Sequence, residues 1–241
     1  MKRENDTIYL YGDDIGKVEL VQTIGNDLSV VNAARVSFGV EKEELDERDK
    51  KLINYLVKHK HTSTLEHCFM TFKFVVPLYV RSQHHRHRTW SYNEISRRYT
   101  DVDIQFYEPT SFRTQHETNR QASNQDNINP DLRSYKNSLV PSSPHPADEA
   151  IRWHHKSCLD LFNTLLEKGV CREQARGVLP QNLYTTYIGS VNLNNLLKFV
   201  ALRDHEGAQW EIQQMARACL TLAQEHFPHT INSYRENSQG H

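Results

Sequence analysis

A cationic stretch of this chain directly follows an apolar one, and the two together constrain the fold. Residues 68–76 (CFMTFKFVV) are aromatic and β-branched, as in a core strand, with Thr71 and Lys73 on its polar face. Residues 81–100 then hold five arginines, three histidines and almost no aliphatic side chain. Burying so many charged and amide groups without anionic or polar partners is unfavourable. The fold must therefore present this stretch to solvent or to a ligand.

The charge balance limits what this stretch can bind. The 241 residues include 29 Lys and Arg and 30 Asp and Glu, which gives a net charge of -1. A chain of neutral overall charge lacks the broad basic surface that general nucleic-acid binding requires. The sequence therefore predicts a local anion site and no nucleic-acid partner.

The cysteines and the lack of long apolar segments indicate the compartment. Cys68, Cys158 and Cys219 lie in apolar patterns, Cys171 precedes a predicted short helix, and no two are at metal-binding or redox spacing. We expect all four to be buried, reduced thiols. No apolar run is long enough to span a membrane, and the N-terminus leads into no signal-like core. A cytoplasmic protein without a membrane partner is the expectation.

The hydrophobic periodicity predicts a single α+β domain over residues 1–241, with a central, mostly antiparallel sheet flanked by helices. Strands are expected at residues 68–76, 102–106 and 185–191. Helices are expected after the N-cap Asn26, at 46–60, after Pro77 through 81–88, and at 146–169, 172–178, 192–202 and 206–227. Residues 110–145 are rich in Asn, Gln, Ser and Pro, and are predicted to form a long polar surface insertion.

Several interpretations of the histidine-arginine cluster compete. A metal site at His84, His85 and His87 is disfavoured, because these positions diverge on a helix and the neighbouring arginines repel a cation. A solvated basic helix would explain the arginines but not the interspersed Gln, Asn, Glu and Ser side chains. We therefore predict an anion site without a metal, in which Arg86 and Arg88 point to different sides and bind different partners.

Sequence signatures of two common site types are missing. No Gly-x-Ser-x-Gly elbow is present, and no cysteine lies in a loop where a neighbouring histidine would activate it. The chain also has neither a Gly-x-Gly-x-x-Gly nor a Gly-Lys-Ser/Thr signature, so any dinucleotide must be held by side chains. Further polar residues lie in apolar surroundings, namely Arg176, Asn192, Asn194, Lys198 and Arg203, and each alone is more often structural than catalytic.

The spacing inside the cationic stretch resembles a known signature. Arg86-His87-Arg88 is followed, after seven residues, by Ser96, and Arg98-Tyr99 closes the segment. This pattern resembles the defining motif of the flavin-dependent thymidylate synthases. Further segments similar to that family are residues 32–38 (NAARVSF), 61–67 (HTSTLEH), 172–176 (REQAR), 179–180 (LP), 202–203 (LR) and 208–212 (AQWEI). The resemblance covers nearly all of the chain apart from residues 110–145 and the C-terminal end.

The resemblance implies the reductive methylation of dUMP to dTMP. Methylenetetrahydrofolate would supply the carbon, NADPH would reduce a bound FAD, and the reduced flavin would supply the hydride. No cysteine nucleophile would take part. The resemblance also implies a homotetramer whose sites lie between subunits.

The resemblance also assigns site residues, with Arg203 as the catalytic residue that binds the pyrimidine and stabilises charge developing on its ring. The dUMP-binding residues it implies are Gln83, His84, His85, Arg86, Glu94, Ile95, Ser96, Arg97, Arg98, Arg176 and Arg203. The FAD-binding residues are Ser63, Arg86, His87, Arg88, Glu94, Asn192, Leu193, Asn194 and Lys198. A flavin and folate pocket would involve His61, Glu66 and Tyr99.

Three positions depart from the family pattern. Cys171 stands where proline is common, and little consequence is expected. Gly207 stands where some members carry a flavin-contacting histidine, and His205 lies two residues earlier. Lys198 replaces an asparagine and adds a positive charge to the predicted FAD site.

Two other functions are compatible with the cationic stretch. The first is a protein that binds RNA or a nucleotide without chemistry and stacks bases on Trp90, Tyr92 and Tyr99. The second is a flavin reductase that transfers no methyl group. The first predicts a colourless protein, whereas both flavin-dependent functions predict a yellow one.

Overall fold

The computed structural model describes residues 1–132 and 145–238. Residues 133–144 of the predicted polar insertion lie outside the described residues. Within the described ranges, no helix is long and apolar enough to cross a membrane.

The strands of the described residues form one larger sheet and one hairpin. They are β1 Arg3–Glu4, β2 Thr7–Tyr9, β3 Lys17–Ile24, β4 Phe69–Pro77, β5 Ser91–Glu94, β6 Phe112–Gln115, β7 Ser123–Ile128 and β8 Tyr184–Asn192. The larger sheet has the order β1-β2-β3-β4-β8-β5, and its first three pairings are antiparallel. Strands β6 and β7 pair antiparallel with each other.

The helices lie before, between and after these strands. They are α1 Asp27–Arg35, α2 Glu47–Lys58, α3 Leu78–His84, α4 Ala147–Glu167, α5 Arg172–Ala175, α6 Leu193–Arg203, α7 Trp210–Ala223 and α8 Pro228–Ser238. Short 3-10 turns add Val36–Phe38, Thr62–Leu65 and Arg176–Val178. Together with the sheet, they confirm the predicted α+β class.

The chain divides into two compact units. Within the described residues, unit 1 comprises Met1–Val75, Gln83–Asn93 and the chain from Thr186 onward, and unit 2 comprises Val76–Ser82 and Glu94–Thr185. The single domain expected from the sequence stays a prediction.

The core of unit 1 forms where β4 meets apolar helices. Met70, Phe72 and Phe74 alternate along β4 and are fully buried, whereas Thr71 and Lys73 on the other face are partly exposed. Helix α7 packs on β3 and on α6, and these helices bury Leu193, Leu196, Phe199, Ile212, Met215 and Cys219. Each such side chain contributes about 1.5–3 kcal/mol, so this layer is the main source of stability in unit 1.

A buried carboxylate joins two helix N-termini in unit 1. Asn26 caps α1 as predicted, accepting from the Ser29 N–H at 3.1 Å. The next residue, Asp27, accepts from the N–H groups of His229 at 2.7 Å and Thr230 at 3.0 Å. The first N–H groups of a helix have no carbonyl partner within the helix, and the Asp27 carboxylate accepts hydrogen bonds from those of α8. Asp27 thereby fixes the C-terminal helix, which the sequence did not predict.

A histidine fixes the long helix of unit 2. His155 of α4 is only 3% exposed, and its Nδ1 lies 2.9 Å from Oε1 of Glu108. The ring also stacks on Phe106 at 4.7 Å. Burial lowers the pKa of His155, although the carboxylate of Glu108 opposes that shift. This contact holds α4 against the chain at residues 106–108.

The helix predicted through residues 81–88 is shorter in the structure. Pro77 ends β4 and α3 stops at His84, so Arg86 and Arg88 lie in turns beyond the helix. The Tyr92 hydroxyl donates to the carbonyl oxygens of His84 at 2.9 Å and His87 at 3.1 Å. The prediction that helical geometry separates the two arginines is therefore wrong, because a tertiary contact ends the helix.

The strand predicted at residues 102–106 is also wrong. Only Phe106 pairs, through an isolated bridge to Leu183. Arg97 donates to the carbonyl oxygens of Val102 at 2.6 Å and Asp103 at 3.3 Å, which removes those acceptors from any strand ladder. Asp103 also has a positive φ of 52°, which a strand does not allow. The alternation of apolar residues here reflects a folded loop.

The cysteines only partly match the expectation of buried thiols. Cys68 and Cys219 are buried, Cys158 is half-buried and Cys171 is exposed. The prediction of a buried Cys171 is wrong, because this residue is the N-cap of α5, a position that faces solvent here. Burial, with a smaller contribution from the charge of Asp27, raises the pKa of Cys68 to about 11.

We predict that Gly25→Ala destabilises unit 1 more than Gly12→Ala does. Both glycines have positive φ, 85° and 78°, so alanine costs about 1–2 kcal/mol of strain at either position. Only at Gly25 would the new Cβ lie 2.9 Å from Sγ of buried Cys68, whereas nothing lies within 4 Å at Gly12. Overpacking adds about 1–3 kcal/mol. Urea denaturation measures both losses, and equal losses would contradict the Cys68 contact.

Candidate functional site

The cationic turn of residues 84–88 begins at a buried histidine in unit 1. His84 is fully buried, and its Nδ1 lies 2.8 Å from the Tyr187 hydroxyl. Edge-to-face contacts with Phe74 at 5.0 Å and Trp90 at 4.5 Å surround the ring. Burial, followed by the charges of neighbouring basic residues, lowers the pKa of His84 well below its usual value. The side chain of His84 is therefore a neutral core residue, which leaves ligand contacts to its neighbours.

Consecutive backbone turns then bring the next residues to the surface. The Arg86 N–H donates to the Gln83 carbonyl oxygen at 3.3 Å and the His87 N–H to that of His84 at 2.9 Å. His85 stacks on Tyr92 at 4.1 Å and is half-buried. Arg86 and Arg88 are exposed. The turn thus alternates anchored histidines with solvent-facing arginines.

No described carboxylate neutralises these arginines. Within residues 1–132 and 145–238, neither Arg86 nor Arg88 forms a salt bridge. Burial, followed by the nearby positive charge of Arg86, lowers the pKa of Arg203. Guanidinium groups brought together without a carboxylate create a strong positive potential. An anion is the ligand that this arrangement favours.

Arg203, the predicted catalytic residue, contacts the motif histidine. Its Nε donates to Nε2 of His87 at 3.0 Å. Burial, followed by the charge of Arg203, lowers the pKa of His87 to about 4. The ring is therefore neutral near pH 7, with its proton on Nδ1, because Nε2 accepts the hydrogen bond. That bond uses only Nε of Arg203, so its two terminal nitrogens can donate to a ligand.

A chain of amide groups orients Gln83. Its Nε2 donates to Oε1 of Gln209, and Nε2 of Gln209 donates to Oε2 of Glu211 at 2.9 Å. Glu211 is 4% exposed, and its carboxylate accepts the Gln209 N–H. Because Gln83 donates through one N–H of Nε2, its Oε1 and the second N–H of Nε2 can bind another partner. Gln209 and Glu211 were not among the predicted site residues, although their segment (AQWEI) resembles the family.

The predicted FAD residues of α6 divide between structural and exposed positions. Oδ1 of Asn192 caps α6 by accepting the Asn195 N–H at 2.9 Å. Leu193 is fully buried, so its side chain belongs to the core. Nδ2 of Asn194 donates to Oε1 of Glu66 at 2.8 Å, which connects α6 with the turn at residues 62–65. Lys198 is exposed.

The remaining predicted residues of unit 1 lie around that turn. Ser63 is exposed in the 3-10 turn Thr62–Leu65, and His61 is its exposed N-cap residue. The His61 ring meets the Tyr55 ring edge-to-face at 5.5 Å. The backbone of His205 and Gly207 forms another turn, in which Nδ1 of His205 accepts the Gly207 N–H at 3.0 Å. Nδ1 of His205, the histidine nearest to Gly207 in the sequence, therefore forms a hydrogen bond within the turn.

Unit 2 holds the second group of predicted residues. Oε1 of Glu94 accepts from the Thr185 hydroxyl at 2.7 Å and lies 3.0 Å from Nε of Arg81. Oγ of Ser96 accepts the Arg98 N–H at 3.3 Å, which shapes the following turn. Exposed side chains in this group are Ile95, Arg98, Tyr99 and Arg176. Arg81 supports Glu94 although no sequence pattern singles it out.

The arginines of unit 2 are of two kinds. Arg97 uses its guanidinium to hold the loop at residues 102–103, and Arg172 forms a salt bridge with Asp101 at 2.9 Å. Arg98 lies over the Tyr99 ring at 5.7 Å, and no carboxylate of the described residues pairs with Arg176. Arg98 and Arg176 are therefore the residues of this group that can neutralise an anion, whereas any contribution from Arg97 falls to its main chain.

Comparison with known proteins identifies the family. A family model described as thymidylate synthase complementing protein matches residues 19–229. The flavin-dependent thymidylate synthase of Thermus thermophilus is 40% identical over 224 residues, or 93% of this chain and 77% of the relative. This chain belongs to the flavin-dependent thymidylate synthase family. The family member from Thermotoga neapolitana is 39% identical over 92% of this chain and 91% of its own.

Solved structures of a related methylase have the same fold. A UMP/dUMP methylase, PolB from Streptomyces cacaoi, bound with 5-Br dUMP, has a TM-score of 0.75 and 30% identity, with 95% of this chain and 97% of that chain covered. The same methylase bound with 5-Br UMP has a TM-score of 0.75 and 28% identity, with 96% and 98% covered. The family resemblance and the fold class expected from the sequence are both confirmed.

We predict that Asn192 stabilises the protein through the helix cap. Asn192→Ala should lower the free energy of unfolding by about 1 kcal/mol, because the Asn195 N–H loses its acceptor. Asn192→Ser keeps a capping oxygen and should stay within a few tenths of a kcal/mol of the parent. Urea denaturation of both variants measures the difference. If serine destabilises as much as alanine, the cap is not the stabilising contact.

Proposed function

We propose that this chain catalyses the reductive methylation of dUMP to dTMP, with methylenetetrahydrofolate, NADPH and FAD. The observation that carries the proposal is the group formed by Arg86, His87 and Arg203, in a chain that belongs to the flavin-dependent thymidylate synthase family. A positive group without a carboxylate suits an anionic substrate and the negative charge that develops when a pyrimidine ring is activated.

The substrate phosphate is assigned to exposed arginines. Arg98 and Arg176 have the planar guanidinium groups that bind phosphate in a bidentate manner. The Ser96 segment adds main-chain donors, and Glu94, fixed through one oxygen by Thr185, keeps its second oxygen for a hydroxyl of the nucleotide. In this proposal Gln83 contributes the polar groups that the amide chain leaves unused.

The residues present fit FAD. Its phosphates need cations, and Arg88 and Lys198 are exposed cations of unit 1. Asn192 uses only its oxygen in the helix cap, so its NH2 group remains as a donor, and the hydroxyl of Ser63 is exposed. These residues would hold the group, with His61 and Glu66 bordering the flavin and folate pocket. When bound, FAD supplies the hydride that reduces the transferred carbon.

In this proposal Arg203 activates the pyrimidine ring without a cysteine nucleophile. It donates to the pyrimidine through its terminal nitrogens and stabilises the charge that develops on the ring. Burial raises the pKa of the Cys68, Cys158 and Cys219 thiols, which disfavours the reactive thiolate in each. Charge stabilisation by Arg203 is therefore the better-supported mode of activation.

The proposal includes the assembly and location expected from the sequence. The family resemblance implies a homotetramer with sites between subunits, and the composition implies the cytoplasm. Both stay predictions.

A second candidate substrate is UMP. The related methylase from Streptomyces cacaoi is described as acting on UMP and dUMP, and one of its structures holds 5-Br UMP. The relatives that are more similar in sequence are named thymidylate synthases, so dUMP is the substrate we favour.

We predict that the FAD-loaded protein is yellow and releases tritium from ring-labelled dUMP. Release and dTMP formation should both require NADPH and methylenetetrahydrofolate, because the carbon and the electrons come from different donors. Omitting each co-substrate in turn is the control. NADPH oxidation without tritium release would indicate a flavin reductase, and a colourless protein that binds RNA would indicate a binding protein. Equal turnover of UMP and dUMP would contradict specificity for dUMP and would indicate an enzyme that accepts both nucleotides.

We predict that Arg176→Ala weakens dUMP binding and that Arg172→Ala does not. Arg176 has no carboxylate partner among the described residues, whereas Arg172 is paired with Asp101. A charge-assisted hydrogen bond contributes about 1.5–3 kcal/mol, so KM for dUMP should rise about 10- to 150-fold in Arg176→Ala. Steady-state kinetics of both variants at one ionic strength measure this. A similar KM change in both would remove Arg176 from the phosphate site.

A further inference from the structure

Arg203 is held by one side chain at its inner nitrogen. Its Nε donates to Nε2 of His87 at 3.0 Å, and no carboxylate of the described residues pairs with its terminal nitrogens. Arg203 is the last residue of α6 and is half-buried. Fixing an arginine side chain costs rotamer entropy. The bond to His87 offsets that cost before a ligand binds.

The nearby charge of Arg86 makes such an anchor necessary. Arg86 and Arg203 repel each other, which contributes to the lowered pKa of Arg203. A carboxylate anchor would hold Arg203 more strongly but would also neutralise the site. A neutral imidazole accepts the hydrogen bond and leaves the positive charge intact. His87 is thus an acceptor that preserves the electrostatic potential that the substrate needs.

The backbone and the ring of His87 are both held in place. The main-chain N–H of His87 donates to the His84 carbonyl oxygen at 2.9 Å, and the main-chain carbonyl oxygen of His87 accepts from the Tyr92 hydroxyl at 3.1 Å. The edge of Phe199 meets the ring at 4.9 Å and 89°. Because α6 carries both Phe199 and Arg203, one helix positions the ring and the guanidinium that it accepts from.

We propose that His87 is a positioning residue that fixes the guanidinium of Arg203 for pyrimidine activation. This inference rests on the proposed function and adds to it, because the family resemblance assigns His87 only to FAD. In the proposal Nδ1 carries the proton of the neutral ring, and Nε2 directs the terminal nitrogens of Arg203 toward the substrate.

The test compares variants that differ in one acceptor. His87→Gln and His87→Met have side chains of similar length and volume, but only glutamine places an acceptor near the position of Nε2. His87→Phe keeps a ring against Phe199 and removes the acceptor. Each variant is made alone and together with Arg203→Ala, in the FAD-loaded protein. The readouts are kcat, KM for dUMP, bound FAD from the visible spectrum, and the melting temperature.

We expect His87→Met and His87→Phe to lower kcat about 100-fold at saturating FAD, since misplacing a catalytic group by about 1 Å has an effect of that size. His87→Gln should recover most of this loss. In the Arg203→Ala background, His87→Met should change kcat by less than about twofold, because residues that act through one another are not additive.

Three outcomes would overturn the positioning role. The first is an equal loss of kcat from His87→Met with and without Arg203. The second is a similar kcat for glutamine and methionine at this position. The third is a parent-level kcat of His87→Met and His87→Phe at saturating FAD, which would assign the ring to the cofactor alone. A parent protein without dTMP formation would instead contradict the proposed function, so the two failures are distinguishable.

Discussion

The burial of His84 is the interaction on which the candidate site depends. Its neutral ring fills a cluster with Phe74, Trp90, Tyr187 and other aromatic side chains, and it ends helix α3 inside the core. Since each buried aromatic side chain contributes about 1.5–3 kcal/mol, this cluster can hold the adjacent turn against the repulsion of its own arginines. The turn carries Arg86, His87 and Arg88, so their positions follow from a packing contact rather than from helix geometry.

Positive charge that no described carboxylate neutralises is the second organising feature. Arg97 and Arg172 are committed to a loop carbonyl or an aspartate, whereas Arg86 and Arg176 have no such partner within the described residues. Folding thus sorts the arginines of one sequence into structural and ligand-binding residues. Repulsion between guanidinium groups, as between Arg86 and Arg203, lowers stability, and the binding of an anion offsets that loss.

Predictions from the sequence succeeded where an element depends on a local residue pattern and failed where it depends on a particular side-chain contact. The N-cap of α1 and the strand at residues 68–76 were predicted because caps and alternating burial are local patterns. The end of α3 and the loop around Asp103 were missed because they depend on hydrogen bonds from the Tyr92 hydroxyl and the Arg97 guanidinium to main-chain carbonyl groups. The C-terminal helix was missed because its start depends on Asp27, 203 positions earlier in the chain. Such contacts leave no periodic signal in the sequence.

The sequence by itself determined the family and the chemical types present: the Arg86-His87-Arg88 and Ser96 spacing, the missing nucleotide loop and the overall neutral charge. Only the tertiary structure decided which of these groups meet. Arg203 forms a hydrogen bond with His87, which lies 116 positions earlier in the chain, and His84 is buried in the core. The physical reason is that residue types set what each side chain can bind, whereas burial and distance set its charge state and its partner.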